Sequence, residues 1–426
     1  MTKPQRVDWV TTGLIFLLTI MYAWTLPDVP FHPDESTHIY MSKDISQNPL
    51  ALAWDGTLPL SAEERIRAID APLAKYLIGV VREIFSIPAL KDDWNWGLSW
   101  EENLTAGALP SDQQLLFARS TMVLLLPFSL WLYYLALKKI LPAIPSLAAV
   151  LLLGLNPLLL LHARRAMSEG PLFLGTALFL WAATRDKRNP WLIGLALGIA
   201  VAAKHSALGL IPAAFLSVVF LPGESPVIKT ALIKILKTSL VLFITLLLLN
   251  PFYWKHPLDA LNAGSRARFD LAREQQEDYL GRIGLKGQPL GTTIPGLVLN
   301  IFLTPPQTEE VGNYLPETGE SREKYLANPI HYWGRGLISG SILAALSLVG
   351  VGLAFGRFPA KKPAERNNLL IFALATLWLG VFTIFLIPWQ RYVVVLLPFV
   401  FSWVGVALVP IFKAGAKSLP GNTPLN

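Results

Sequence analysis

The stretch FHPDESTHIY, residues 31–40, sets two adjacent carboxylates, Asp34 and Glu35, between His32 and His38, directly after the first apolar run of the chain. Ionisable groups stand beside apolar runs at three further places: Arg164, Arg165 and Glu169 in ARRAMSEGP, Lys204 and His205 in AVAAKHSALG, and Arg391 in RYVVVLLP. Charge at or inside an apolar boundary is costly and is retained mainly for function, so its recurrence at separate helix junctions outweighs any single instance. Carboxylates facing fixed cations suit transfer of a group from a phosphorylated donor: a carboxylate accepts the proton of an attacking hydroxyl, and Lys and Arg stabilise the departing phosphate. A phosphate leaving group is already a weak base and needs no general acid. If that phosphate hangs on a lipid, the site belongs at a membrane surface.

Each of these residues also has a plainer reading. Asp34 follows Pro33 ahead of a helical pattern and could be an N-cap. Ser168 could cap the helix that Glu169 opens, with the carboxylate at the positive helix end. Arg164 and Arg165 could snorkel to lipid headgroups. Lys204 is harder to dismiss, because it interrupts an apolar stretch with no acidic neighbour in sequence. The histidines around Asp34 and Glu35 match no strong metal signature, so no metal ligand is assigned and no cofactor is called for; a divalent cation stays open as an alternative.

The elements that must position these groups are membrane helices. With 53% hydrophobic and only 15% charged residues and a mean hydropathy of +0.46, the 426-residue chain lies far from soluble domains. Apolar runs at about 8–26, 113–137, 142–162, 167–184, 190–203, 206–221, 238–253, 333–355, 368–388 and 391–412 predict an all-α polytopic protein of about ten transmembrane helices in a single domain over 1–426. The segment around Lys204 fits either two short spans or one long one with a charge in its middle. No small-x-small cleavage site follows the first run, which reads as a retained anchor.

Lys3/Arg6, Lys138/Lys139, Arg185/Lys187/Arg188, Lys229/Lys234/Lys237, Arg357/Lys361/Lys362/Arg366 and Lys413/Lys417 fall on one side if the spans alternate, and that side is the cytoplasm. The long loops 27–112 and 254–332 are then both extracytoplasmic, with apolar residues at helical spacing that predict helices on the membrane surface. Trp94, Trp96 and Trp100 suit an interfacial aromatic belt. The formal charge of +7 could suggest nucleic acid, but the basic residues cluster at the ends of apolar segments where topology explains them, and no nucleic-acid partner is expected. With no cysteine, disulfides and thiolate sites are excluded and the redox compartment is unreadable. The GLALG and GLAFG stretches, at 194–198 and 352–356, permit close helix packing.

HPDE opening the first outer loop, APLAKYLIG at 71–79, ARRAMSEGPLFL at 163–174, the Lys closing the fifth span and RYVVVLLP at 391–398 together resemble the GT-C glycosyltransferases of the protein O-mannosyltransferase and lipid A aminoarabinose transferase type. The resemblance implies a GT-C fold in the plasma (inner) membrane. It implies transfer of a hexose or pentose from a polyprenyl-phosphate donor, with inversion, to a protein, lipid or glycan acceptor on the extracytoplasmic face. It puts the family's first-loop acid on Asp34, with Glu35 beside it, and its second-loop acid on Glu169, and gives Asp34 the role of general base. The phosphate-contacting cations fall on Lys75, Lys204 or Arg391, next to the Arg164 and Arg165 pair. The chain departs from the family at Asp70 and Ala71, where a His or Lys and a Pro commonly precede PL.

Two other readings use the same residues. A transporter or flippase for a lipid-linked substrate would also hold intramembrane charge, but with charge deep in several spans and half-to-half symmetry that this sequence lacks. A non-catalytic relative would keep the scaffold alone.

Overall fold

The computed structural model describes residues 3–220, 227–282, 293–310, 312–356, 362–384 and 387–417. All regular structure among them is helical, 77% of the chain with no strand. Lipid supplies no hydrogen bonds, so apolar segments of this composition satisfy their backbone groups internally as helices.

Six of the expected runs are helical stretches long and apolar enough to cross a membrane, and the chain is an integral membrane protein. They are Arg6–Trp24 within α1 (Lys3–Trp24); Asp112–Leu137, made of α6 (Asp112–Val123) and α7 (Leu126–Leu137); α13 (Ile228–Leu249); α17 (Leu337–Gly356); α18 (Pro363–Ile384); and Gln390–Ala414, made of α19 (Gln390–Val393) and most of α20 (Leu397–Lys417). The last is the central helix, with 83% of its most apolar stretch buried against 11% for Ile228–Leu249 at the periphery.

The other expected runs are shorter helices: α8 (Ala143–Gly154), α9 (Pro157–His162), α10 (Glu169–Thr184), α11 (Pro190–Ala203) and α12 (Ile211–Val219). Between α8 and α9 the Asn156 side chain accepts from the Leu158 amide and Pro157 starts the new helix. The segment around Lys204 is two helices. Lys204 itself is extended (φ −159°, ψ 132°), and a 3-10 stretch, His205–Leu210, leads into α12. The break puts the ammonium at a helix end instead of mid-span.

Helix α11 lies on α10 and α13, and α17 and α8 lie on α20. Glycines permit the closest crossings. A Cβ on Gly194 would meet the Thr238 carbonyl at 2.5 Å, and one on Gly198 would meet Thr245 at 2.6 Å, as GLALG implied. In GLAFG the close approach is absent: Gly352 and Gly356 face open space, and the crossing of α17 with α20 uses Gly350.

The first long loop holds α2 (Pro33–Met41), α3 (Ala62–Ile69), α4 (Leu73–Ile84) and α5 (Trp100–Ala106). Capping boxes start α2, α3, α5 and α6, from His32/Glu35, Ser61/Glu64, Ser99/Glu102 and Ser111/Gln114. The tryptophans are largely an internal cluster instead of a belt. Trp94 is buried, its ring 5.7 Å from Phe31 and 5.6 Å from Trp100, while Trp96 is 46% exposed beside Tyr314. In the second long loop, α14 (Pro257–Arg282) packs on α3 through Ala260 and Ala263, followed by α15 (Ile294–Val298) and α16 (Leu315–Ala327); residues 283–292 and 311 of that loop lie outside the described residues.

Candidate functional site

His32, not Asp34, is the N-cap of α2: its Nδ1 accepts from the Asp34 amide at 3.1 Å, and the Glu35 carboxylate closes the box by accepting from the His32 amide, also at 3.1 Å. Asp34 is therefore left free to point outward from the first turn, and its side chain is about a third exposed (31%). It forms an ion pair with Arg391 of α19. The same guanidinium meets Glu310, with Nε 3.1 Å from Oε2, and Glu310 also faces His32 Nε2 at 3.7 Å. Partial burial opposes ionisation of Asp34, but Arg391, His32 and His38 outweigh it and hold its carboxyl well below the usual carboxylate range.

Lys204, from the break after α11, donates to Glu169 at the start of α10 and keeps 17% of its side chain exposed. Its Nζ lies 5.2 Å from the centre of the Tyr392 ring, and Arg391 lies over Trp389 and Tyr392 at 4.8 and 5.4 Å. Trp389 and Tyr392 stack and thereby place both cations on one aromatic wall, which Tyr279 of α14 covers. Ser168 makes no capping bond, and the second oxygen of Glu169, Oε2, is buried without a partner among the described residues, as are both ring nitrogens of His162. Two acid–base pairs, Asp34–Arg391 and Glu169–Lys204, thus come together from the first long loop, the α9–α10 turn, the α11–α12 break and the segment before α20.

Other expected residues are committed elsewhere. Glu35 is fully buried and every strong acceptor position is used: Arg119 Nε and Nη2 donate at 2.8 and 2.7 Å, and the Ala166 and His32 amides complete the set. Burial works against its charge, yet Arg119, Arg165 and the Ala166 amide hold its carboxyl below the usual range. A carboxylate saturated in this way clamps the first loop to α6 and to the α9–α10 turn and has no lone pair left for substrate. The structure places Glu35 in this clamp and not in the group formed by Asp34, Arg391, Glu169 and Lys204. Lys75 is likewise out of the group, because its buried ammonium donates to Asp44 at 2.7 Å beside Arg67. Arg164 is held by Leu160, Thr25 and Tyr325, and Arg165 reaches the Thr308 and Pro30 carbonyls. Both are buried braces instead of headgroup-seeking side chains.

Glu310 was not singled out from the sequence. It sits in TPPQTEEVG, a loop without periodicity, and its position is set by Gln390, which accepts from the Gln307 amide at 2.6 Å and donates to Thr304 and Pro305. Arg119 was missed because its partner Glu35 had been given to chemistry. Among the described residues no three His, Cys, Asp or Glu side chains gather in a way that could hold a metal ion, and Asp34 and Glu310 both turn to a guanidinium that a cation would have to displace.

No protein-family model matches the sequence, and no curated protein matches it. Among solved structures, the apo oligosaccharyltransferase of Archaeoglobus fulgidus superposes on all of this chain, with a TM-score of 0.53 at 13% identity, over 53% of its own length. A complex of that organism's oligosaccharyltransferase AglB with an inhibitory peptide and a dolichol-phosphate superposes on 98% of the chain, with a TM-score of 0.51 at 12% identity, again over 53% of its own length. The chain has the GT-C fold. The Saccharomyces cerevisiae protein O-mannosyltransferase Pmt1-Pmt2 complex bound to the sugar donor is matched over 61% of this chain and 34% of its own, with a TM-score of 0.40 and 14% identity. The chain thus spans about half or less of the length of these structures.

Proposed function

We propose that this GT-C chain is a glycosyltransferase that moves a sugar from a polyprenyl-phosphate carrier to an acceptor on the extracytoplasmic face of the plasma (inner) membrane. The observation that carries the reading is the pairing of Asp34 with Arg391 next to Glu169 with Lys204, with Asp34 and Lys204 the two members left partly open. In the reaction an acceptor hydroxyl attacks the anomeric carbon, Asp34 withdraws its proton, and the carbon–oxygen bond to phosphate breaks. Lys204 and Arg391 neutralise the charge that develops on that phosphate, and Glu169 holds Lys204 in place. The GT-C fold shared with a structure that holds a dolichol-phosphate supports a lipid-borne donor. A single aromatic wall behind both cations supports a site shielded from water, where their charge acts most strongly.

The test uses the full chain in detergent with polyprenyl phosphate and polyprenyl-phosphate-linked sugars. Lys204→Gln should weaken polyprenyl phosphate binding by about 1.5–3 kcal/mol, the value of a charge-assisted hydrogen bond. Asp34→Asn should bind it as the parent does while turnover falls roughly 10²–10⁴-fold. Undiminished binding in Lys204→Gln and undiminished transfer in Asp34→Asn would remove the proposal.

A further inference from the structure

The segment that follows α4 carries Asp93 to α2. Its carboxyl lies beside the Thr37 side chain, and Thr37 is three residues after Asp34, so the two stand one turn apart on the same helix face, with Cβ atoms about 5–6 Å apart. Asp93 Oδ1 is buried and has no hydrogen-bond partner among the described residues, a costly condition for a carboxylate. The segment is not loose. Next to Asp93, Trp94 packs on Phe31, two residues before the start of α2, and its indole donates to Asn313 at 3.0 Å; the Asn95 amide donates to Asn103 at 2.8 Å. The fold therefore holds a poorly solvated acid one turn from the proposed base.

We propose that Asp93 is the proton-relay partner of Asp34: it receives the proton that Asp34 withdraws from the acceptor, so that Asp34 returns to its ion pair with Arg391 before the next turnover. This rests on the glycosyl-transfer reading above. The acceptor O–H bond breaks and its electron pair forms the new bond to the anomeric carbon. The pair of the breaking carbon–oxygen bond leaves on the carrier phosphate, and the proton passes through Asp34 to Asp93 and from there to the outer medium. Asp93 touches neither sugar nor carrier and is a positioning residue for the proton.

The charge balance agrees with this direction. Asp34 faces a guanidinium and is a weak base that does not keep a proton. Asp93 meets no cation among the groups that act on it: burial and the charges of Asp70, at the end of α3, and of Asp34 raise its carboxyl to about 6, with the Thr37 hydroxyl and the Trp94 amide opposing. A group with that value accepts a proton near neutrality and releases it again.

The experiment follows release of carrier phosphate from polyprenyl-phosphate-linked mannose, glucose and aminoarabinose as a function of pH, with envelope lipids, glycans and proteins of the producing cells added to supply the acceptor hydroxyl. The unaltered chain should gain rate as pH rises through about 6, where Asp93 becomes able to accept. Asp93→Asn should lose that limb and about 10²-fold in rate, and Asp93→Glu should restore both in part. The cost of a raised carboxyl grows from its unfolded value and is complete above its folded one, so Asp93→Asn should also unfold at a higher temperature than the parent above pH 6, which shows that the buried acid has been neutralised without loss of the fold. Transfer by the parent with an unchanged acid limb in Asp93→Asn overturns the relay alone. No release by the parent from any of the three donors overturns the proposed function, and the relay with it.

Discussion

Asp34 and Glu35 are neighbours in sequence with opposite fates, decided by the direction each leaves the first turn of α2. Asp34 points to Arg391 and stays partly open, while Glu35 points inward to Arg119 and two backbone amides. Both carboxyls are held below their ordinary values, so each contributes stability that is present above pH about 4 and is lost as pH falls through its folded value. The buried pair predicts a specific contrast. Glu35→Ala should cost about 3–5 kcal/mol, because it strands the Arg119 charge in the interior, and should show as a lower unfolding temperature in detergent. Asp34→Asn should unfold near the parent, since Arg391 retains Glu310. Equal destabilisation by the two would mean that Asp34 is a brace as well. The sequence exposed Asp34, Glu169, Lys204 and Arg391, because those lie against apolar runs where charge stands out, and it did not expose Glu310, His162 or Asp93. It could not separate Asp34 from Glu35, since rotation about one helix turn is set by the His32 cap and by a partner, Arg119, 84 residues away.

The helices that carry the site depend on crossings made by single glycines. A Cβ on Gly350 would lie 1.8 Å from the Trp403 carbonyl of α20, whereas one on Gly352, two residues along α17, would meet nothing within 4 Å. Gly350→Ala should therefore push α17 off α20 and cost about 1–3 kcal/mol by overpacking. Gly352→Ala should be neutral or gain up to about 1 kcal/mol from helix propensity. Thermal unfolding of the two variants measures the difference, and similar behaviour would show that α17 does not rest on α20 at this point. Small-residue motifs permit close packing without deciding it: α11 uses GLALG for its crossing and α17 does not use GLAFG, because spacing gives a face but not which neighbour approaches it. Helix positions were legible from hydropathy, while the segment around Lys204 fitted one span or two until its extended backbone showed the break. Which helices are central was not, since Gln390–Ala414 and Ile228–Leu249 are both strongly apolar and differ only in what surrounds them.

At the level of the whole molecule, the site is assembled from junctions that must share one side of the membrane. Asp34 follows α1, Glu169 opens α10, Lys204 ends α11 and Arg391 precedes α20, and their contacts bring all four together. That convergence fixes relative sidedness without reference to a bilayer. The basic short turns, Lys138/Lys139 and Arg185/Lys187/Arg188, lie at the opposite ends of α7 and α10, and Lys139 pairs there with Asp186. Under the proposed function, that side, with its excess of Lys and Arg, is the cytoplasmic end and the two acid–base pairs lie outside. A chain without cysteine allows the arrangement to be tested one thiol at a time with a membrane-impermeant reagent on intact cells. Glu101 on α5 and Lys187 in the turn after α10 are both exposed, so access to a thiol at either is limited by the membrane and not by packing. Glu101→Cys should label before the cells are opened, and Lys187→Cys only afterwards. The reverse pattern would place Asp34 and Lys204 in the cytoplasm and would require a donor presented on that face.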